Sequence, residues 1–249
     1  MPINQSVSNF EDFYEKWTAQ QKLHLDALVA ASETPQPSQN PSYLCALVKR
    51  VVDHYEEYYG MKSHWAKQDV ILMLSPTWTT PLEQAFCWIG GWRPTMAIHL
   101  LYSKSGLQLQ ERIVDVALGL ATGDLADLNS SQIDQVDKLQ RKTTMEEREI
   151  SEKMAKQQGN VADSDMVELT HELDDDEEKV ESILRRKEEG LEKVLERADD
   201  LRLRTLKGVI NILTPSQSLH FLVAAAQLHL RLHNWGKERE TKERDLSAA

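Results

Sequence analysis

"PSQSLHFLVAAAQLHLRLHNWG", residues 215–236, is apolar on nearly every side when it is wound as a helix. Leu219, Leu222, Ala226, His229 and His233 recur at helical spacing along one stripe, and Phe221, Leu228, Leu232 and Trp235 along another. A surface helix keeps one face polar, so a helix that is apolar all round belongs at the centre of a bundle. Thr214-Pro215-Ser216-Gln217 supplies its start: a hydroxyl at the N-cap, proline at the first helical position, where no N–H partner is missed, and an amide that can reach back to the cap.

The same start signals recur upstream. Thr80-Pro81-Leu82-Glu83 combines N-cap, proline and capping box, Asn40-Pro41 opens another helix, and Ser8-Asn9-Phe10-Glu11 reads as a capping box. Behind the last of these, Phe10, Phe13, Tyr14, Trp17, His24, Leu25 and Leu28 follow at helical spacing. From Val180 to Ile212 an apolar stripe predicts one long amphipathic helix, with Gly190 and Gly208 as the places where it could bend. No alternating run, Asn-Gly hairpin turn or strand–helix–strand rhythm is present. The fold class expected is all-α: a single helical bundle with long amphipathic C-terminal helices and a polar, acidic insertion.

Residues 125–165 are polar, with sparse apolar positions at Ile133, Val136, Leu139, Ile150 and Met154. A helix is expected to begin near Ser131 and a loop to fall at Gly159-Asn160. "HELDDDEEK", residues 171–179, reads as a solvated face or loop; it lacks the turn glycine and the twelfth-position Glu of an EF-hand. The expected domain is therefore 8–236, with 129–178 as a variable insertion and 237–249 as a charged tail.

"FCWIGGWRPT", residues 86–95, predicts a tight corner. A short helix over 81–89 should end at Gly90-Gly91, with Gly91 the better place for a positive φ. Arg93 precedes Pro94 and is thereby steered away from helical geometry, and Pro94 begins the next helix. Trp and Arg are also favoured binding anchors. Trp78, Trp88, Gly90, Gly91, Trp92, Arg93 and Pro94 are therefore assigned to a structural corner or a partner surface.

The 249 residues are 41% hydrophobic and 28% charged, a globular composition. The net charge of −11 argues against a general nucleic-acid binder. No apolar run is long enough to cross a membrane, and the N-terminus carries no secretory signal. Cys45 and Cys87 read as reduced, partly buried thiols of a cytosolic or nuclear protein. No Gly-rich phosphate loop, nucleophile elbow or paired metal-ligand motif points to an enzyme.

His229 and His233 are four residues apart and share a face. A metal held by them needs a third ligand that spacing does not identify. The two point the same way, so they cannot be the opposed axial ligands of one haem iron, although one of them could serve with a ligand from elsewhere. Asn234 is the only nearby amide. Each imidazole should therefore be neutral and paired, or else bound to a ligand.

Three stretches, "FEDFYEKWTAQQKLHLDAL" (10–28), "LSPTWTTPLEQAFCWIGGWRPT" (74–95) and "ERADDLRLRTLKGVINILTPSQSLHFLVAAAQLHLRLHNWG" (196–236), resemble the plant delay-of-germination (DOG) family, whose domain also forms the C-terminal part of the TGA bZIP transcription factors. The resemblance covers residues 10–236. It implies a helical bundle without a catalytic site, acting in the nucleus, the cytoplasm or both. Such a protein would regulate seed dormancy, germination, the abscisic-acid response or related transcription. It also implies contacts with other proteins, type 2C protein phosphatases among them, and self-association as a homodimer. Haem binding through C-terminal histidines is a further implication, for which His229 and His233 are the nearest match. A TGA factor carries a basic region and zipper before this domain. The domain here begins by Phe10 without that Lys/Arg-rich helix, so the chain itself is not expected to bind DNA sequence-specifically.

Overall fold

Proline and threonine set three of the helix starts as expected. The computed structural model describes residues 3–33, 41–118, 120, 122–170 and 177–247. Its helices are α1 (Ile3–Ser32), α2 (Pro41–Ala66), α3 (Val70–Leu74), α4 (Pro81–Ala85), α5 (Thr95–Glu111), α6 (Ile113–Ala117), α7 (Ser130–Gly159), α8 (Ser164–Leu169), α9 (Glu177–Ile212) and α10 (Pro215–Ser247). The described residues contain no strand, and the fold is all-α. At α4 the Thr80 hydroxyl accepts from the Glu83 N–H while the Glu83 carboxylate accepts from the Thr80 N–H. Gln217 and Thr214 exchange the equivalent pair of bonds at α10. Ser8, by contrast, does not start α1. The helix runs from Ile3, because nothing between Ile3 and Ser8 breaks it. Asn40 and residues 171–176 of the acidic run lie outside the described residues.

α10 is central, packing against α1, α2, α4 and α5. Leu219, Phe221, Leu222 and Ala226 are buried on it, and the first three join Leu47, Ile98, Leu101 and Val209 in the largest core cluster. A second, aromatic cluster gathers Phe10, Tyr14 and Trp17 of α1 with Met73 and Trp78. Phe10 and Trp78 have ring centroids 4.5 Å apart.

The polar segment expected as an insertion is a full layer of the bundle. α7 opens with a capping box between Asn129 and Gln132, runs for 30 residues and lies along α9. Its buried positions include Val136, Thr143, Glu147 and Ile150, the narrow seam of a paired helix, which needs few apolar residues. Gly190 and Gly208 do not break α9, which continues over 36 residues. They admit α7 instead. A Cβ on Gly208 would sit 3.0 Å from Leu139 Cδ1, and one on Gly190 would sit 2.5 Å from Gln157 Oε1. The two contacts run in opposite directions along the chain, so α7 and α9 are antiparallel.

Gly236 does not end the last helix. α10 continues to Ser247, and the residues expected as a tail form its exposed, charged extension, with Arg239 paired to Glu243. Gly236 is buried where α10 crosses the start of α4, and a Cβ there would lie 2.6 Å from Thr80 Cβ. Gly236→Ala is therefore expected to destabilise by about 1–3 kcal/mol, the usual cost of overpacking. A urea midpoint unchanged from wild type would show that this crossing does not constrain the fold. Cys45 and Cys87 are free and exposed, although burial at the edge of the corner pushes the Cys87 thiol pKa up. Among the described residues no helix is long and apolar enough to cross a membrane.

Candidate functional site

α4 stops at Ala85, earlier than the expected Ile89, and the chain then turns through residues 86–94. Positive φ occurs at Ile89 (47°) and Gly90 (68°), not at Gly91. The two glycines solve different problems. A Cβ on Gly90 would lie 2.6 Å from the Met73 carbonyl oxygen, whereas one on Gly91 would press on the Arg202 guanidinium at 3.0 Å. The turn exposes backbone carbonyls inside the protein, where they need donors. Arg202 of α9 supplies three. Its Nε donates to the Trp92 carbonyl at 2.6 Å, and its Nη2 donates to the carbonyls of Ile89, at 2.9 Å, and Trp88. Lys62 of α2 donates to the Gly90 carbonyl at 2.7 Å and to Asp199 at 3.1 Å. Arg202 also donates to Asp199. Arg202 and Lys62 are 0% and 1% exposed, so the corner is held by a buried two-cation, one-anion cluster. Burial pushes the Lys62 ammonium down to about 8, against the opposing pull of Asp199.

The expected corner residues converge here, with one exception. Trp88 is half-buried, donates to Ser151 at 2.9 Å and lies under the Arg202 guanidinium. Trp92 donates to Tyr59 at 2.7 Å. Arg93 donates to Glu147 of α7 at 2.9 Å, and the same buried carboxylate accepts from the Thr95 N–H at 2.6 Å, anchoring the start of α5 behind Pro94. Trp78 sits apart, in the aromatic cluster. Sequence reasoning missed Lys62, Asp199 and Arg202. A signal was available for two of them: Asp199 and Arg202 fall on the stripe of Ala198, Leu201 and Thr205, where a charge must be buried.

The C-terminal histidines find partners on other helices, not among their local neighbours. His229 is half-buried, its Nε2 lies 3.4 Å from the Tyr14 hydroxyl, and burial holds its pKa below the ordinary imidazole range. His233 places Nδ1 3.0 Å from the Glu83 carboxylate, so Nδ1 carries the proton. Asn234 is exposed. The two rings differ as prospective haem ligands. His229 turns Nε2 inward onto Tyr14 and does not fit. His233 is oriented by a carboxylate at Nδ1, while Nε2 makes no hydrogen bond among the described residues, the arrangement by which a carboxylate aims an imidazole at a metal. No group of three or more His, Cys, Asp or Glu among the described residues could hold a bare metal ion.

One surface feature went unread in the sequence. Leu107, Leu109, Ile113, Val114, Leu118 and Leu120, at the end of α5, on α6 and just beyond it, are each 41–70% exposed. Only packing reveals that these side chains stand exposed.

A family model described as seed dormancy control, DOG1, matches residues 24–103. The Arabidopsis thaliana protein DOG1-like 3 is 31% identical over 91% of this chain and 83% of its own length. DOG1-like 4 of the same plant is 33% identical, over 92% of this chain and 93% of its own length. The Arabidopsis transcription factor TGA7 is 29% identical over 92% of this chain but only 56% of its own length. With identities of 31% and 33% to two DOG1-like proteins over more than nine-tenths of the chain, and the "GGWRP" corner inside the span the family model matches, the chain belongs to the plant DOG1 family.

Proposed function

We propose that the chain is a non-enzymatic regulator that works by protein contact, and that the apolar segment over residues 107–120 is its contact surface. The observation that carries this is the run of exposed large aliphatic side chains there, since soluble chains seldom leave such a patch uncovered without a partner. Family membership supports a place in the control of seed dormancy, germination and the abscisic-acid response. The proposed partners are type 2C protein phosphatases, with a second copy of the chain as a further occupant of the same patch. The TGA relative supports action in the nucleus, with any DNA contact made by another protein.

The test is calorimetric titration of a purified type 2C phosphatase into wild type and into Ile113→Asp/Leu118→Asp. Both residues are exposed, so the fold should survive. A loss of affinity of about tenfold or more, equivalent to 1.4 kcal/mol, is expected in the variant. Wild-type affinity in the variant would remove this surface from the proposal.

The Glu83–His233 pair favours a second reading, a haem-responsive form of the same regulator. When bound, haem would supply an iron centre whose ligation responds to redox state or small gases. His233 would hold it and Glu83 would orient His233. Hemin titration should then give a Soret band that His233→Ala abolishes and His229→Ala retains. Equal spectra in all three proteins would exclude both histidines.

A further inference from the structure

We infer that the groove between α3, the corner, the end of α7 and α9 is a docking site for a basic amphipathic helix of a partner protein. The inference rests on the reading of the chain as a contact-based regulator but places a second surface away from residues 107–120. Ile71, Leu74, Ile89, Met154, Leu184 and Leu191 line the groove, with Ile71 and Leu184 50% and 40% exposed. An amphipathic helix lays a row of side chains into such a channel, and methionine lets the wall adapt to their shape. One wall is rigid, because the carbonyls around Ile89 and Gly90 are fixed by Arg202 and Lys62.

The charge at the lip selects the occupant. On α9, Glu177, Glu181 and Glu188 stand seven and three residues before and four residues after Leu184, so they share its side of the helix. All three are exposed, and none makes an ion pair among the described residues. The cations beside them on α9 are already engaged: Lys187 by Asp163, Arg186 by Asp165 and Arg185 by Glu189, and Lys179 also has a partner. The unneutralised charge on the α9 lip is therefore negative. A second copy bringing the same acidic α9 lip, or an anionic lipid surface, would be repelled at this groove. Addition of a partner strand needs a free sheet edge, and the described residues have no strand. A helix with Leu-type residues on one face and Lys or Arg beside them meets both the floor and the lip.

The probe is a labelled peptide of about 15 residues, four turns of helix, with leucines at helical spacing and lysines elsewhere. Two controls accompany it: the same pattern with glutamate for lysine, and the same composition with leucine and lysine alternating. Fluorescence anisotropy should show binding of the Leu/Lys helix that is at least about tenfold tighter than that of either control. Ile71→Asp and Leu184→Asp should each weaken it about tenfold, and Glu181→Lys/Glu188→Lys should weaken it and flatten its salt dependence. Circular-dichroism melts check that the variants fold. If Leu184→Asp does not, Ile71→Asp decides alone, since it lies on a different helix. No binding to wild type, binding unchanged in the groove variants, or equal binding of the alternating peptide would overturn the inference. Ile113→Asp/Leu118→Asp should bind the peptide like wild type. Loss of phosphatase binding in that variant alone concerns residues 107–120, whereas loss of peptide binding in Ile71→Asp alone concerns the groove.

Discussion

Arg202→Met is expected to cost about 3–5 kcal/mol, a large share of the stability of a chain this size. The methionine fills similar volume, so the loss is chiefly polar. The carbonyls of Ile89 and Trp92 lose their donor inside the protein, that of Trp88 keeps only the Gly91 N–H at 3.3 Å, and Asp199 keeps only Lys62. A buried charge or acceptor left without its partner bears the full penalty of having left water. Arg202→Lys should recover only part of the loss, because a single ammonium cannot reach acceptors that the planar fork addresses along separate directions. Urea denaturation followed by circular dichroism measures both. A midpoint for Arg202→Met matching wild type would show that the corner does not depend on this cluster.

Acidification from about pH 6.5 to pH 4 is expected to remove roughly 3 kcal/mol through His54 alone, at about 1.4 kcal/mol per pH unit of displaced pKa. His54 is 6% exposed, stacks on Trp17 at 4.6 Å and meets His24 edge-on at 4.8 Å. Burial, and then the neighbouring His24, push its pKa down to about 4 from 6.5. Between those values the unfolded chain binds a proton that the folded one refuses. Stability therefore rises with pH across the window and falls as acid is added. His24, His220 and His229 are lowered in the same direction, chiefly by burial, and add to the loss. Glu146 and Asp163 are held low by hydrogen bonds from Arg204 and Lys187 and contribute only at lower pH. Urea midpoints at pH 7.5 and pH 5, between which about 2 kcal/mol of this loss should already appear, provide the measurement, with His54→Leu as the comparison. A wild-type midpoint that did not fall on acidification, or a fall undiminished in His54→Leu, would contradict this assignment.

Features whose causes are local were legible in the order of the residues. Pro41 starts its helix through its fixed φ, and the Thr80–Glu83 and Thr214–Gln217 boxes start theirs because cap and partner lie within one turn. The all-round apolar pattern of 215–236 placed α10 at the centre, and the spacing of glycines and proline over 86–95 announced a corner. Family kinship was legible for the same reason, since it resides in these contiguous motifs. The remaining features depend on partners far away in the chain and emerged with packing. Tyr14 meets His229 across 215 residues, Glu83 meets His233 across 150, and Lys62 meets Asp199 across 137. Packing of the corner gave positive φ to Ile89 and Gly90 and not to Gly91, and the rank of α7 as a full layer followed from the glycines of α9. Periodicity states which face of a helix is apolar, but not which helix covers it. For that reason the bare surface at 107–120 and the groove beside the corner became visible only once the helices were packed.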